Sequence, residues 1–326
     1  MLRIFHNTKY DFIKWWKVAA VLTGAFMVLG LASFAIKGGV NYSVEFTGGT
    51  LVQLKFKQPA DASKIRAALD EAGIKGAEVQ QYGAADEYTI RAQDAALVAS
   101  QDAGAEKVDD QIRAALSKSL GADTYTVVRA ESIGPKVGEE LSRKAWLAMV
   151  LVSIATLIYL AFRFEWRFGV AAVVSTLHDV LVTIAFVKIM HLEVSLTVVA
   201  AILTLLGYSS NDTIIIFDRV RENLKVAGKT KLYDVLNRSI NDTLPRSIMT
   251  HATTLAASLA LLFFAGEVIR PFAWVMAFGI FVATFSSIYI AGPMLLWIEH
   301  KFPRNATAAT AARAADSTKR PAAVTR

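Results

Sequence analysis

The chain has 326 residues, no cysteine and a formal net charge of +7. Lack of cysteine excludes a disulfide framework and a thiolate metal site. Hydrophobic residues make up 54% of it and mean hydropathy is +0.40, against roughly 45–50% apolar content in ordinary soluble domains.

The excess is gathered into runs long enough to cross a bilayer. A basic chain invites a nucleic-acid reading, but the placement of charge argues against it. Between Lys37 and Lys144, 14 Lys/Arg stand beside 16 Asp/Glu. The basic excess lies in the short segments that flank apolar runs, which is the positive-inside pattern.

Residues 1–17 are expected to form a cytoplasmic N-terminus, with Trp15 and Trp16 at the interface belt. Residues 18–36 form the first membrane helix. A signal peptide would have a shorter apolar core, so a retained anchor is preferred. Residues 37–144 read as an outside domain. Leu51–Phe56 alternates as a strand, and Asp61–Ala72 has helical spacing with Gly73 as its stop. Val79–Tyr82 and Tyr88–Arg91 read as short strands, Val108–Leu120 as a helix and Tyr125–Ala130 as a last strand. That order is ferredoxin-like.

Residues 145–300 hold five further apolar runs. They begin at Ala145, Phe168, Leu196, Ile248 and Phe272. The last is interrupted by Gly292-Pro293, which is expected to bend it. Residues 218–246 read as a polar cytoplasmic loop with seven basic and four acidic residues, containing a surface helix near 232–240. Residues 301–326 have the composition of a disordered cytoplasmic tail. Six spans put the N-terminus, the 163–167 loop, the 218–246 loop and the tail on one side, the cytoplasm, and the 37–144 domain on the other. The fold class is a six-helix membrane protein with a small α+β domain.

Polar residues inside the runs are the candidate site. Asp212 lies seven residues before Arg219, so a helix holds it about 10 Å below the interface. A carboxylate near a bilayer centre costs roughly 2.5–3.5 kcal/mol, which makes a proton or ion path the default reading. A buried structural hydrogen bond is the alternative. Thr204, Tyr208, Asn211 and Asp212 share one helix arc; Arg246, Thr250, Thr253 and Thr254 share another. Arg246 is expected to pair with Asp212, with lipid phosphate as its alternative partner. His178 and Asp179, beside Thr176 and Thr183, form a second polar group, which is either functional or a local structural pair. Most of the threonines are expected to bond their own helix carbonyls. The last run, apolar apart from Thr284, Ser286 and Ser287, is expected to pack outside.

Gly207-Tyr-Ser-Ser-Asn-Asp-Thr, followed by Asp218-Arg-Val-Arg-Glu-Asn, resembles the signature of the SecF family, the smaller subunits of the bacterial SecDF accessory translocase. Phe46-Thr-Gly-Gly-Thr, with Thr47, Gly48 and Gly49 as the motif turn, adds a second match. A simple turn into the first strand is the alternative role for that motif. The family usually opens it Gly-Ile-Asp-Phe; here Ser43-Val-Glu-Phe stands there, with Glu45 replacing the shorter acid. The resemblance covers residues from about Trp15 to His300 and implies one half of an RND-like architecture. It implies a bacterial inner-membrane protein with both termini cytoplasmic. Proton-motive force would help to pull exported polypeptide across the membrane. Its implied partners are SecD, the SecYEG channel, YajC and YidC, unfolded polypeptide and the bilayer, with no nucleic acid, cofactor, metal or enzyme activity. Asp212, Arg246 and Asn211 would form a proton path shared with an Asp of SecD; His178, Asp179, Tyr208 and Thr250 would be a secondary network. Half of an RND-type exporter, an intramembrane aspartyl protease using Asp179 and Asp212, and a purely structural subunit are the alternatives.

Overall fold

The computed structural model describes residues 8–303 apart from 59, 75, 82–84, 93–104, 227–229 and 267. Most of the expected tail, and Tyr82 with the start of its turn, therefore lie outside the described residues. The chain divides into two compact units. One is Val40–Val150 with Glu193–Val199; the other comprises Met1–Gly39, Leu151–Leu192 and Ala200–Arg326.

The first unit is built on one antiparallel sheet. After α1 (Trp16–Lys37) and the short α2 (Val44–Thr47) come β1 (Gly49–Phe56), α3 (Ala62–Glu71), β2 (Glu78–Gln81), β3 (Glu87–Ala92), α4 (Ala105–Leu120) and β4 (Tyr125–Ile133). The sheet order is β2-β3-β1-β4, with Val52 opposite Ile90 on one side and Ala130 on the other. This is the expected ferredoxin-like order. Alternation along β1 puts Val52, Leu54 and Phe56 on one face. There they pack with Ile65 and Leu69 of α3 and Ile112 and Leu116 of α4. Asp61 caps α3 by accepting from the Ser63 backbone N–H at 2.9 Å.

The second unit carries most of the apolar helices. Six helices among the described residues are long and apolar enough to cross a membrane. They are α1, α5 (Pro135–Arg163), α6 (Trp166–Ile189), α7 (Leu196–Val226), α8 (Leu232–Phe264) and the sixth, α9 (Arg270–Ser286) continued by a π turn (Ser287–Ala291) and α10 (Gly292–Lys301). Its core joins Phe168 of α6, Phe217 of α7, Ile240 of α8 and Leu295 of α10. The Phe168 and Phe217 rings meet edge to face at 5.3 Å. Lys188, near the end of α6, donates to the carbonyls of Gly38 and Gly39 just beyond α1, at 2.8 and 2.5 Å.

Two boundaries and the placement of one span differ from expectation. The stretch 218–246 is not a polar loop with a separate surface helix. Residues 218–226 are the end of α7 and residues 232–246 the first half of α8, because Val220, Val235, Leu236 and Ile240 give these helices a buried stripe. Pro245 therefore sits inside a helix and removes one backbone bond without breaking it. The second span begins ten residues early, at Pro135, whose fixed φ suits a first helical position. The sixth span is central, with Ser286, Ser287 and Ala291 fully buried.

Residues 40–134 expressed alone should be soluble and give a mixed helix–strand circular dichroism spectrum. Leu54, with no exposed surface, sets the scale: Leu54→Ala should cost about 2–5 kcal/mol in denaturant unfolding. Asp61 supplies a pH test. The Ser63 backbone N–H holds its carboxyl below the ordinary 3.8. Its stabilisation is therefore present above that value and lost as pH falls below it through the lowered folded value. Asp61→Asn should remove this contribution to the acid limb. An unfolded spectrum for the excised residues would contradict the domain reading.

Candidate functional site

Four helices bring two carboxylates into the interior of the second unit. Asp179 comes from α6 and Asp212 from α7, at 6% and 5% exposure. Each is met by a pair of serine hydroxyls. Ser209 of α7 and Ser286 of α9 both donate to Asp179 Oδ2, at 2.5 and 2.6 Å. Ser247 of α8 donates to Asp212 Oδ1 and Ser287 to Asp212 Oδ2, both at 2.6 Å. His178 Nδ1 lies 2.9 Å from Asp179 Oδ1, and its Nε2 is buried without a partner among the described residues.

The sequence arranges this locally. Ser209 and Asp212 are three apart on α7 and so share a face. Ser286 and Ser287 are neighbours, so they point about 100° apart and serve different carboxylates. They stand where α9 passes into the π turn. Pro293 has no N–H, so the Tyr289 carbonyl four residues earlier loses its α-helical donor. A widened π turn over 287–291 absorbs that mismatch. Each hydroxyl also has a competing acceptor on its own helix. Ser286 lies 3.2 Å from the Ala283 carbonyl and Ser287 3.1 Å from that of Thr284. A hydroxyl carries one proton, so it serves one acceptor fully, and the carboxylate contacts are the shorter.

Between Asp179, Thr176, Thr183 and Ser209 lies a cavity with room for about one water molecule. Gly279 closes it: a Cβ there would stand 2.1 Å from a Leu205 methyl.

Several expected partners separate. Arg246 is exposed and makes no ion pair among the described residues. The expected Asp212–Arg246 pair is absent, because the helical phase of α8 turns Ser247 inward and Arg246 outward. Asn211 is exposed beside Asp212. The expected secondary network is two groups. His178 and Asp179 belong with the serines. Tyr208 instead donates to the Thr250 carbonyl at 3.0 Å and to Thr254 Oγ1 at 3.2 Å, on the outward face. Most threonines do bond their own helix carbonyls, Thr204 to Ala200 and Thr253 to Met249 among them. No hydrogen bond joins Asp179 to Asp212 among the described residues, so they form no carboxylate dyad. Nor do the described residues include a group of three or more metal-ligating side chains. Thr47 bonds within its own turn, and Gly48 takes φ 71° against the start of α5.

The four serines were not among the expected site residues. The available signal was Ser209 one turn before Asp212, and Ser286-Ser287 side by side just upstream of Gly292-Pro293.

Paired hydroxyls on carboxylates among six candidate spans, in a chain that also carries a small ferredoxin-like sheet, define a multi-pass membrane protein with a polar centre. The family described as "Protein export membrane protein SecD/SecF, C-terminal" matches residues 112–301, and the "SecD/SecF GG Motif" matches 33–60. The protein translocase subunit SecF of Gemmatimonas aurantiaca is 67% identical over 95% of this chain and 93% of its own. That of Escherichia coli O157:H7 is 32% identical over 89% and 88%. The crystal structure of SecDF, a translocon-associated membrane protein from Thermus thermophilus, superposes with a TM-score of 0.78 at 34% identity. It covers 90% of this chain, which spans 39% of that one. The chain belongs to the SecF family of protein translocase subunits.

Ser287→Ala leaves Asp212 with one of its two donors. It should lower unfolding free energy in detergent or bicelles by about 0.6 kcal/mol, the average for hydrogen bonds between membrane helices, and by no more than about 1.7 kcal/mol. The outward Thr253→Ala should change it far less. Equal effects would deny Ser287 its role at the carboxylate.

Proposed function

We propose that this chain is the proton-coupled half of an accessory protein-export machine, acting with SecD beside the SecYEG channel, rather than an enzyme. It would lie in the bacterial inner membrane with both termini in the cytoplasm and residues 40–134 outside. YajC and YidC would be further partners in the same assembly. The observation that carries the reading is the pair of neighbours Arg246 and Ser247: Ser247 holds Asp212, while Arg246 stands one residue away on the exposed face.

Neighbouring residues on a helix point about 100° apart. A turn of α8 by that amount would exchange Ser247 for Arg246 at Asp212. With Ser247 in place no cation faces Asp212, and a proton added at Oδ1 is donated to Ser247 Oγ once that hydroxyl turns its own hydrogen away. With Arg246 in place, a permanent cation favours the ionised carboxylate and the proton leaves. Alternation between the two would load Asp212 from one side and unload it to the other, past the exposed Asn211. One charge crossing 100 mV releases about 2.3 kcal/mol. The exposed Arg246, Thr250 and Asn211, with the half-buried Tyr208 beside them, are costly against lipid. SecD would cover them and supply an acid for Arg246. The rotation would move the outside domain, and with it the exported polypeptide.

Export into membrane vesicles, with and without a proton gradient, tests this. Asp212→Asn keeps shape and hydrogen bonding but carries no proton. It should abolish the gradient-dependent stimulation while leaving assembly with SecD intact. Arg246→Lys should lose most of it, since an ammonium lacks the planar fork that clamps a carboxylate. A full gradient response in Asp212→Asn would overturn the reading.

A further inference from the structure

The motif arm that precedes β1 does more than turn the chain. Glu45 Oε2 accepts from the backbone N–H of Leu196 at 2.6 Å, and Leu196 is the first residue of α7. Ser43 Oγ contacts the same oxygen at 3.3 Å. A carboxylate at a helix N-terminus satisfies an orphan donor and is favoured by the helix dipole. The backbone adds two more bonds: Val194 N–H to the Asn41 carbonyl at 2.7 Å and Ser43 N–H to the Val194 carbonyl at 3.0 Å. Arg91 of β3 pairs with Glu193 and donates to the Tyr42 carbonyl at 3.3 Å. So the turn before α7 is held from the arm and from the sheet.

The same arm meets the start of α5. A Cβ on Gly48 would stand 2.8 Å from Pro135 Cα, and one on Gly138 would stand 2.9 Å from the Gly48 nitrogen. The glycines are needed because two backbones touch there. Glu45, with its longer side chain, reaches an amide across this junction.

We infer that Glu45 is a positioning residue that ties the first turn of α7, which belongs to the same unit as the sheet, to the motif arm. A helix is stiff, so a displacement at Leu196 is carried 16 residues, about 24 Å, to Asp212. The inference deepens the proton-coupled reading and rests on it. It assigns the arm a transmitting role: the acid holds the outer end of the helix whose inner part holds the proton.

The test uses the full chain in complex with SecD, in vesicles. Glu45→Ala should speed amide exchange in the first turn of α7 by about 5–30-fold, the loss of one helix cap. It should also cut gradient-stimulated export several-fold, with assembly and gradient-independent export unchanged. Glu45→Gln still offers an acceptor oxygen and should retain most of the response. The chain has no cysteine, so Tyr42→Cys with Val194→Cys can be joined by a short thiol cross-linker in the Glu45→Ala background. That joint should restore the response. A wild-type gradient response in Glu45→Ala, or no restoration by the cross-link, would overturn the coupling. Asp212→Asn run in parallel separates the two readings. If Asp212→Asn responds fully while Glu45→Ala does not, the proton role of Asp212 falls and with it the route from Glu45 to that carboxylate, while the hold of Glu45 on α7 stands. The reverse pattern leaves the proton role and removes the coupling.

Discussion

Two carboxylates buried among membrane helices dictate much of this fold. Each would be costly alone, and each is met by two serine hydroxyls, with His178 as a further neighbour of Asp179. Hydroxyl pairs demand close helices. They place α9 in the middle of the bundle, between α6, α7 and α8, and they fix its rotation to within one residue. The π turn lets Ser286 and Ser287 serve two different acids, and the Gly279 contact with Leu205 lets α9 approach closely enough. A buried ion pair would have bound a cation permanently. Serines leave Arg246 free to face outward.

The arrangement is also one that can change. A serine hydroxyl turns between a carboxylate and its own helix carbonyl at little cost. Protonating either acid alters what its serines must donate, and the two acids meet at adjacent residues of one helix. In the sheet-bearing unit the logic differs. There the Glu45 cap, the Arg91–Glu193 pair and two backbone bonds make a fixed joint.

Much of this was legible in the sequence. The apolar runs gave six spans, because a bilayer demands about 20 apolar residues and little else does. Alternation in Leu51–Phe56 gave β1, and the depth of Asp212 marked it as costly. What failed did so for physical reasons. The stretch 218–246 looks like a loop because the outer faces of its helices are charged, while only Val220, Val235, Leu236 and Ile240 reveal the buried stripe. Arg246 and Ser247 differ by one helical step, finer than any spacing argument without a neighbour to face. Ser286 and Ser287 are invisible to hydropathy, since a serine barely marks an apolar run. Glu45 read as a departure from its motif. Its reach to Leu196 depends on a residue 151 positions away, and no local pattern encodes that.

The central claim is that Asp179 and Asp212 form one system through Ser286 and Ser287. A double-mutant cycle on Asp179→Asn and Asp212→Asn measures it, using unfolding free energies in lipid bicelles. The acids share no partner, but their donors Ser286 and Ser287 are adjacent residues; that link predicts a coupling energy of about 0.5–3 kcal/mol, and Ser286→Ala with Ser287→Ala in the background should erase it. Effects that add within about 0.3–0.5 kcal/mol would mean two independent buried acids and contradict the claim.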